Sequence, residues 1–157
     1  MNFHLEFPIQ PFSKKLQYKE PLVFIGSCFA ENIAVLMKSY KFNTLLNPHG
    51  ILYNPESIAT AIHRYIQNKK LTQQELFYAS GAYHSWEHHS RFSNTDAVAC
   101  ISAINEQIET AHATLKEAGW LFITFGSAYA YKLKETGTRV GNCHKQPIRG
   151  FEKELLT

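Results

Sequence analysis

Four consecutive apolar residues, Leu22 to Ile25, constrain the fold of this chain more than any other feature, because Pro21 and Gly26 bound them closely. Such a run is typical of a parallel strand that is buried on both faces. Apolar residues then recur with helical spacing from Cys28 to Tyr40, which predicts a helix directly after the strand. The two patterns leave a tight turn at Gly26-Ser27.

Further strands and helices are predicted along the rest of the chain. Asn54 and Pro55 are typical of a helix start, and Gly119 of a helix end. Residues 128–134 fit neither pattern clearly. The predicted elements are a short strand at 43–46, a helix at 55–68, a shorter helix at 72–78, a loop at 81–94, a helix at 96–118 capped by Asn94 or Thr95, a strand at 120–125, an extended piece at 138–140 and the opening of an amphipathic helix at 151–157.

This alternation predicts an α/β domain with a parallel, doubly wound sheet over residues 22–157, preceded by an irregular arm over residues 1–21 that holds three prolines. Ligands bind beyond the carboxyl ends of the strands in such sheets. Three polar segments are expected to meet there: Ser27, the loop Asn47–Gly50, and Gly126-Ser127.

Composition excludes several classes of protein. Of 157 residues, 45% are hydrophobic, and the net charge is only +3 with scattered Lys and Arg, so no nucleic-acid partner is expected. No segment approaches the roughly 20 apolar residues of a membrane span, and no secretory signal is visible. Three widely spaced cysteines favour a reducing, cytoplasmic location. The sequence leaves the oligomeric state undetermined.

Ser27 has two interpretations. A serine where a strand turns into a helix lies among backbone N–H groups that can stabilise an oxyanion, which suits a nucleophile. Serine is also a preferred helix cap, and the pattern alone favours that structural role. The surrounding residues match neither the Gly-x-Ser-x-Gly elbow nor a phosphate-binding loop.

Three segments together resemble the GSCFA family, a relative of the SGNH (GDSL-type) hydrolases. The first reads Phe24-Ile25-Gly26-Ser27-Cys28-Phe29-Ala30-Glu31-Asn32-Ile33, the second is Asn47 to Pro55, and the third extends from Phe125-Gly126-Ser127 to Asn142-Cys143-His144-Lys145-Gln146-Pro147. This resemblance implies a three-layer α/β/α, flavodoxin-like fold with an ester-hydrolase or acyl-transfer site.

The resemblance also implies roles for individual residues. Ser27 would be the nucleophile, and Gly50 would donate its backbone N–H to the oxyanion. The third motif lacks the usual asparagine at Gly126-Ser127, so Asn142 is a replacement candidate, with a turn residue as its structural alternative. His144 and His84 are further candidates for contact with the substrate, a small acyl ester such as an acetylated carbohydrate.

The general base of the related hydrolases comes from an Asp-x-x-His motif. Asp96 is the only aspartate here, and no histidine follows it at that spacing. We therefore expect the chain to be an N-terminal piece of a longer protein, with an incomplete sheet. Because base catalysis typically contributes about 10²–10⁴-fold, we expect this chain alone to hydrolyse esters weakly.

Three other interpretations remain open. A metal could bind His84, His88 and His89, although histidines lining a polar cleft are the expected arrangement, with no metal or cofactor. Cys28 could be a thiol nucleophile, although a first-turn side chain often packs into the core. The chain could also be a non-catalytic module that binds a carbohydrate or acyl ligand, with Trp86, Tyr83 and Phe92 as a stacking platform or as ordinary core residues.

Overall fold

A computed structural model describes residues 7–156. Residues 7–21 form neither helix nor strand. The first six residues of the arm predicted over 1–21 lie outside the described range. The helices are α1 (Cys28–Ser39), α2 (Pro55–Ile66) and α3 (Ala97–Glu117), and the strands are β1 (Leu22–Gly26), β2 (Thr44–Leu46), β3 (Leu76–Ala79), β4 (Ala82–Ser85), β5 (Trp120–Thr124), β6 (Tyr129–Leu133), β7 (Arg139–Val140) and β8 (Phe151–Leu155).

The centre of the fold is a parallel sheet of three strands in the order β2-β1-β5. Every residue of β1 is buried, because both faces of the strand are covered by helices. Leu22 and Phe24 pack with α1, whereas Val23 and Ile25 pack with α2 and α3. The predicted α/β class and the parallel pairing of the first strand are confirmed.

The helix boundaries follow local capping. Asn54 caps α2, as predicted, and its Oδ1 accepts a hydrogen bond from the Ser57 N–H at 2.8 Å. Asp96 caps α3 by accepting from the Val98 N–H at 2.8 Å. The prediction of Asn94 or Thr95 as this cap was wrong. Within residues 7–156, no helix is long and apolar enough to cross a membrane.

The region between α2 and α3 contains a β-hairpin that the sequence did not predict. A single 3₁₀ turn at Gln73–Glu75 and the strand β3 replace the helix expected at 72–78. β4, which pairs antiparallel with β3, lies where a loop was expected at 81–94. Ser80 and Gly81 form the hairpin turn with φ of 50° and 81°. Positive φ at both turn residues matches the strand twist and allows this tight hairpin.

The end of the described chain is a strand, and the prediction of an amphipathic helix there was wrong. β8 pairs antiparallel with β6, which also pairs with β7, so the segment 128–140 belongs to a second small sheet. The Lys132 ammonium lies 3.2 Å from the Glu152 carboxylate and 2.5 Å from that of Glu154. These cross-strand charge pairs favour the strand over a helix.

Candidate active site

Ser27 lies where β1 ends and α1 begins, next to the carboxyl end of β5. Its side chain is buried, with 7% exposed. The Ser27 hydroxyl lies 2.9 Å from the Thr124 hydroxyl, and the Ser27 N–H donates to the same Thr124 oxygen at 3.1 Å. The ends of the neighbouring strands β1 and β5 therefore jointly fix the position of the serine.

The Ser27 side chain does not cap α1. Ser27 has the extended backbone of a cap residue, with φ of −72° and ψ of 174°, but its side chain accepts no hydrogen bond from the first turn among the described residues. The hydroxyl points to Thr124 instead, and the first N–H groups of α1 have no partner within the helix. The geometry thus argues against the capping role that the sequence pattern favoured.

Asn47 supports the turn that carries Ser27. Its side-chain oxygen accepts from the Gly26 N–H at 2.9 Å, and its amide nitrogen donates to Glu31 on α1 at 3.2 Å. The Asn47 side chain is fully buried, so this link between the loop after β2 and the first strand is shielded from water. Sequence reasoning placed Asn47 in a turn but missed its bridging role.

Gly50 is the last residue of this loop, and its backbone N–H already donates a hydrogen bond. It donates to the Asn47 carbonyl at 2.7 Å. Gly50 has φ of 84°, and a Cβ added there would lie 2.1 Å from the Cβ of His89. The position therefore requires glycine for the turn and for close packing, and its N–H is not free for an oxyanion in this conformation.

Gly126 and Ser127 are brought next to Ser27, as expected. Both backbone N–H groups donate to the Tyr53 carbonyl, at 2.8 and 3.1 Å. A Cβ added at Gly126 would lie 3.4 Å from the Ser27 Cβ and 2.7 Å from the Tyr53 ring. The Ser127 hydroxyl accepts from the Tyr129 N–H at 3.0 Å, which fixes the start of β6.

A cleft of about 310 Å³ opens at Tyr53 and Ser127, and Ser27 is not among the residues that line it. Three tyrosines line it, and Tyr53 and Tyr129 are about half exposed. Such a volume is at the small end for a ligand pocket. The lining residues are Ile51, Tyr53, Asn54, His89, Ser127, Tyr129, Tyr131, Val140, Gly141, Asn142 and Cys143.

Asn142 lines the cleft but also acts as a turn residue. Its side-chain oxygen accepts from the His144 N–H at 2.8 Å, and its own N–H donates to the Trp86 carbonyl at 3.2 Å. The side-chain amide nitrogen remains the group that could reach a ligand. The structure therefore supports the turn role and leaves the contact with substrate as a prediction.

His84 and His144 pack together and are not among the residues that line this cleft. Their ring centroids are 4.7 Å apart, and both side chains are buried. His84 contacts the Ser93 hydroxyl at 2.6 Å and the Ala79 carbonyl at 3.0 Å. His144 contacts the Ser85 carbonyl at 2.8 Å. Both nitrogens of His84 are thus used inside the hairpin region, which argues against His84 as a ligand for metal or substrate.

Trp86 is part of the packing rather than an open platform. Its ring stacks on Phe77 at a centroid distance of 3.6 Å and meets Phe151 edge-on at 5.8 Å. Tyr83 and Phe92 pack against the core between α2 and α3. The aromatic residues named from the sequence therefore have the structural role, and the tyrosines of the cleft were missed.

Two buried histidines that the sequence did not pair stack on each other. The His49 and His88 rings are 4.0 Å apart and nearly parallel. Burial lowers the pKa of His88 to about 3, with the Arg64 charge contributing, and burial also holds the pKa of His49 well below its usual value. Both imidazoles are therefore neutral at pH 7.

His89 lines the cleft and lies against Gly50. Partial burial lowers its pKa, and the nearby Arg91 guanidinium lowers it further, while Glu31 acts in the opposite direction. A neutral imidazole at this position can accept a proton. No hydrogen bond joins it to Ser27 within residues 7–156.

The cysteines give little support to a thiol nucleophile. Cys143 lines the cleft, but burial raises the pKa of its thiol, which keeps it protonated and poorly reactive. Cys28 is exposed at the first turn of α1, so the expectation that it packs into the core was wrong. The Cys28 thiol, on the residue that follows Ser27, is therefore accessible to reagents.

Comparison with known proteins identifies one family. A model of the GSCFA family matches residues 21–157, which covers β1, the Ser27 turn and all of the cleft. No curated protein and no solved structure matches the chain.

Proposed function

The chain belongs to the GSCFA family, and we propose that Ser27 is the nucleophile of an SGNH-like ester hydrolase or acyltransferase. The observation that carries this proposal is the hydrogen bond of the buried Ser27 hydroxyl to Thr124 in place of a helix-capping bond. A hydroxyl held at the carboxyl edge of a parallel sheet, at a helix N-terminus, is in a suitable position to attack an acyl carbon.

The strand order supports the flavodoxin-like part of the proposal. The order β2-β1-β5 corresponds to the first three strands of a 2-1-3-4-5 sheet. The helices that follow β1 and β2 cover opposite faces of the sheet. Ser27 therefore lies at the switch point, where such sheets bind their ligands.

In the proposed reaction, Ser27 Oγ bonds to the acyl carbon and the ester C–O bond breaks. The serine proton passes to a base or to water, which returns a proton to the leaving oxygen as the C–O bond breaks, so that the product is the neutral alcohol. Since the Gly50 N–H is donated to Asn47, we assign the developing oxyanion to the free N–H groups in the first turn of α1. Thr124 holds the Ser27 oxygen during the attack.

The described residues offer Ser27 no general base at hydrogen-bond distance. Thr124 is the side chain that bonds the Ser27 hydroxyl, and within 7–156 no histidine or carboxylate does so. A positioned base typically contributes about 10²–10⁴-fold. We therefore propose that this chain alone turns over esters only slightly above background.

The cleft favours a small ester as the substrate. Its volume of about 310 Å³ accommodates an acyl group with a compact leaving group, and its exposed tyrosines can stack on a sugar ring. An acetylated carbohydrate fits both features. The substrate class rests on the cleft and on the resemblance to SGNH hydrolases.

Hydrolysis of p-nitrophenyl acetate, with and without added imidazole, tests the proposal. Imidazole supplies a mobile base, so we expect a Ser27-dependent rate that is small without imidazole and rises with its concentration. Ser27→Ala should remove this component and leave only the imidazole background. Ser39→Ala, an exposed serine on the same helix, is the matched control and should behave as wild type. Equal rates for wild type and Ser27→Ala at every imidazole concentration would exclude the assignment.

A second candidate function is a non-catalytic binding module. It is favoured by the half-exposed Tyr53 and Tyr129 in the cleft and by the absence of a base on Ser27 among the described residues. Calorimetric titration with an acetylated sugar, combined with analysis for free acetate, separates the two functions. Saturable binding that is lost in Tyr53→Ala, without release of acetate, would favour the module.

A further inference from the structure

Among the buried ring nitrogens of residues 7–156 that have no hydrogen-bond partner, two belong to the stacked histidines His49 and His88. Neither His49 Nε2 nor His88 Nε2 has a hydrogen-bond partner within the described range. Both rings are almost completely buried, with 2% and 1% exposed. Leaving a buried polar atom unsatisfied costs about 1–3 kcal/mol, so a ligand that contacted both rings would remove this cost at two atoms.

The opposite nitrogen of each ring is held by a hydroxyl group. His49 Nδ1 contacts the Tyr65 hydroxyl, and His88 Nδ1 contacts the Ser85 hydroxyl at 2.8 Å. A hydroxyl on Nδ1 orients the ring and can fix its tautomer. Histidines that bind a metal through Nε2 also have a hydrogen-bond partner on Nδ1, although that partner is usually a carboxylate, a backbone carbonyl or water.

Glu87 completes a set of three ligands. Donor atoms of His49, Glu87 and His88 lie within 4.8 Å of one another. Arg64 holds the Glu87 carboxylate with two hydrogen bonds of 2.8 Å, and each carboxylate oxygen keeps a free lone pair. Arg64 is also paired with Glu75, so one guanidinium faces two carboxylates.

We propose that His49, Glu87 and His88 bind one divalent transition-metal ion of the zinc class. Two neutral imidazoles and a carboxylate are ligands that zinc accepts. The ion would join the loop after β2, which supports the Ser27 turn through Asn47, to the segment after β4. Its role is structural, because both histidines are buried, and the proposal is independent of any activity of Ser27.

Binding requires the two stacked rings to tilt apart, because an imidazole lone pair lies in the ring plane and the His49 and His88 planes are only 20° apart at a centroid distance of 4.0 Å. Donor atoms around a tetrahedral zinc ion are about 3.3 Å apart, so a set whose atoms lie within 4.8 Å of one another would contract by up to about 1.5 Å. Glu87 is partly exposed and lines the surface clefts beside α2, which provides a route for the ion from solvent. A water molecule is the alternative occupant.

Titration of the chelator-treated chain with zinc alone and with cobalt alone tests this site. We expect saturable binding of one ion per chain, a higher melting temperature, and an intense visible absorption of four-coordinate cobalt. His88→Gln should abolish the one-ion transition. Tyr65→Phe, which removes only the hydroxyl on His49, should weaken binding about 10–100-fold.

His63→Gln is the matched control, because His63 is exposed on α2 and should leave binding unchanged. The cobalt spectrum of the unmodified chain keeps the test decisive if His88→Gln fails to fold. Absence of saturable binding, a weak six-coordinate cobalt spectrum, or unchanged binding in Tyr65→Phe and a folded His88→Gln would overturn the proposal and favour a buried water.

Discussion

At the scale of single residues, the position of the Ser27 side chain depends on the hydrogen bonds of the Thr124 hydroxyl group. The Thr124 oxygen accepts the Ser27 N–H at 3.1 Å and lies 2.9 Å from the Ser27 oxygen. If Thr124 donates its proton to Ser27, the Ser27 proton remains free for a base. We therefore assign Thr124 as a positioning residue for the proposed nucleophile, Ser27.

Replacement of Thr124 tests this assignment. Thr124→Val keeps the shape but removes the hydroxyl, and a hydrogen bond of this kind contributes about 0.5–1.5 kcal/mol. We expect acylation of Ser27 to slow by about threefold to tenfold, with an unchanged KM for the ester. Thr124→Ser restores the hydroxyl and should restore the rate. Equal acylation rates in Thr124→Val and wild type would remove Thr124 from the site.

Two glycines with similar backbone conformations distinguish the energetic cost of a steric clash from that of backbone strain. Gly50 and Gly81 have φ of 84° and 81°, but a Cβ would collide with His89 only at Gly50, and nothing lies within 4 Å at Gly81. We expect Gly81→Ala to lower the free energy of unfolding by about 1–2 kcal/mol and Gly50→Ala by a further 1–3 kcal/mol or so. Urea denaturation measures both. Equal losses would show that the loop at Gly50 moves to admit the methyl group.

At the scale of secondary-structure elements, the β3–β4 hairpin shows how local geometry decides the fold. Ser80 is exposed and adopts φ of 50°, a conformation that asparagine tolerates better than serine. The sequence Asn-Gly is the preferred turn for such a hairpin. Thus Ser80→Asn is a stabilising change in this structure.

We expect Ser80→Asn to raise the free energy of unfolding by up to about 1 kcal/mol. Ser80→Val should lower it by about 1–2 kcal/mol, because a β-branched residue is strained at positive φ. Thermal and urea unfolding of both variants measure the effect. A loss of stability in Ser80→Asn would argue against the observed turn geometry.

Strongly patterned elements could be predicted from the sequence, whereas those formed by long-range pairing could not. The run Leu22–Ile25 and the helical spacing after it are local signals, and β1 and α1 follow them. Residues 72–78 also have a helical pattern, but pairing across Ser80-Gly81 draws Leu76–Ala79 into a strand. The segment 151–155 becomes a strand because β6 lies beside it, and no local signal reveals that neighbour.

At the scale of the whole molecule, topology predicts part of the site and tertiary contacts create the rest. The carboxyl ends of β1 and β5 bring Ser27 and Gly126-Ser127 together, as the alternation of strands and helices predicted. Thr124 was missed because its role depends on the register of β1 and β5. His84 and His144 are adjacent in space but serve the hairpin, and sequence spacing carries no information about that contact.

The most direct test of the central claim is to locate the acyl group after incubation with p-nitrophenyl acetate, by peptide mass spectrometry. Because no base among residues 7–156 bonds the Ser27 hydroxyl, deacylation is slow, so the acetyl ester should accumulate on Ser27 in the wild type and in Cys28→Ala. It should be absent from Ser27→Ala. A chain that remains unmodified at Ser27, or an adduct that disappears in Cys28→Ala, would contradict the account.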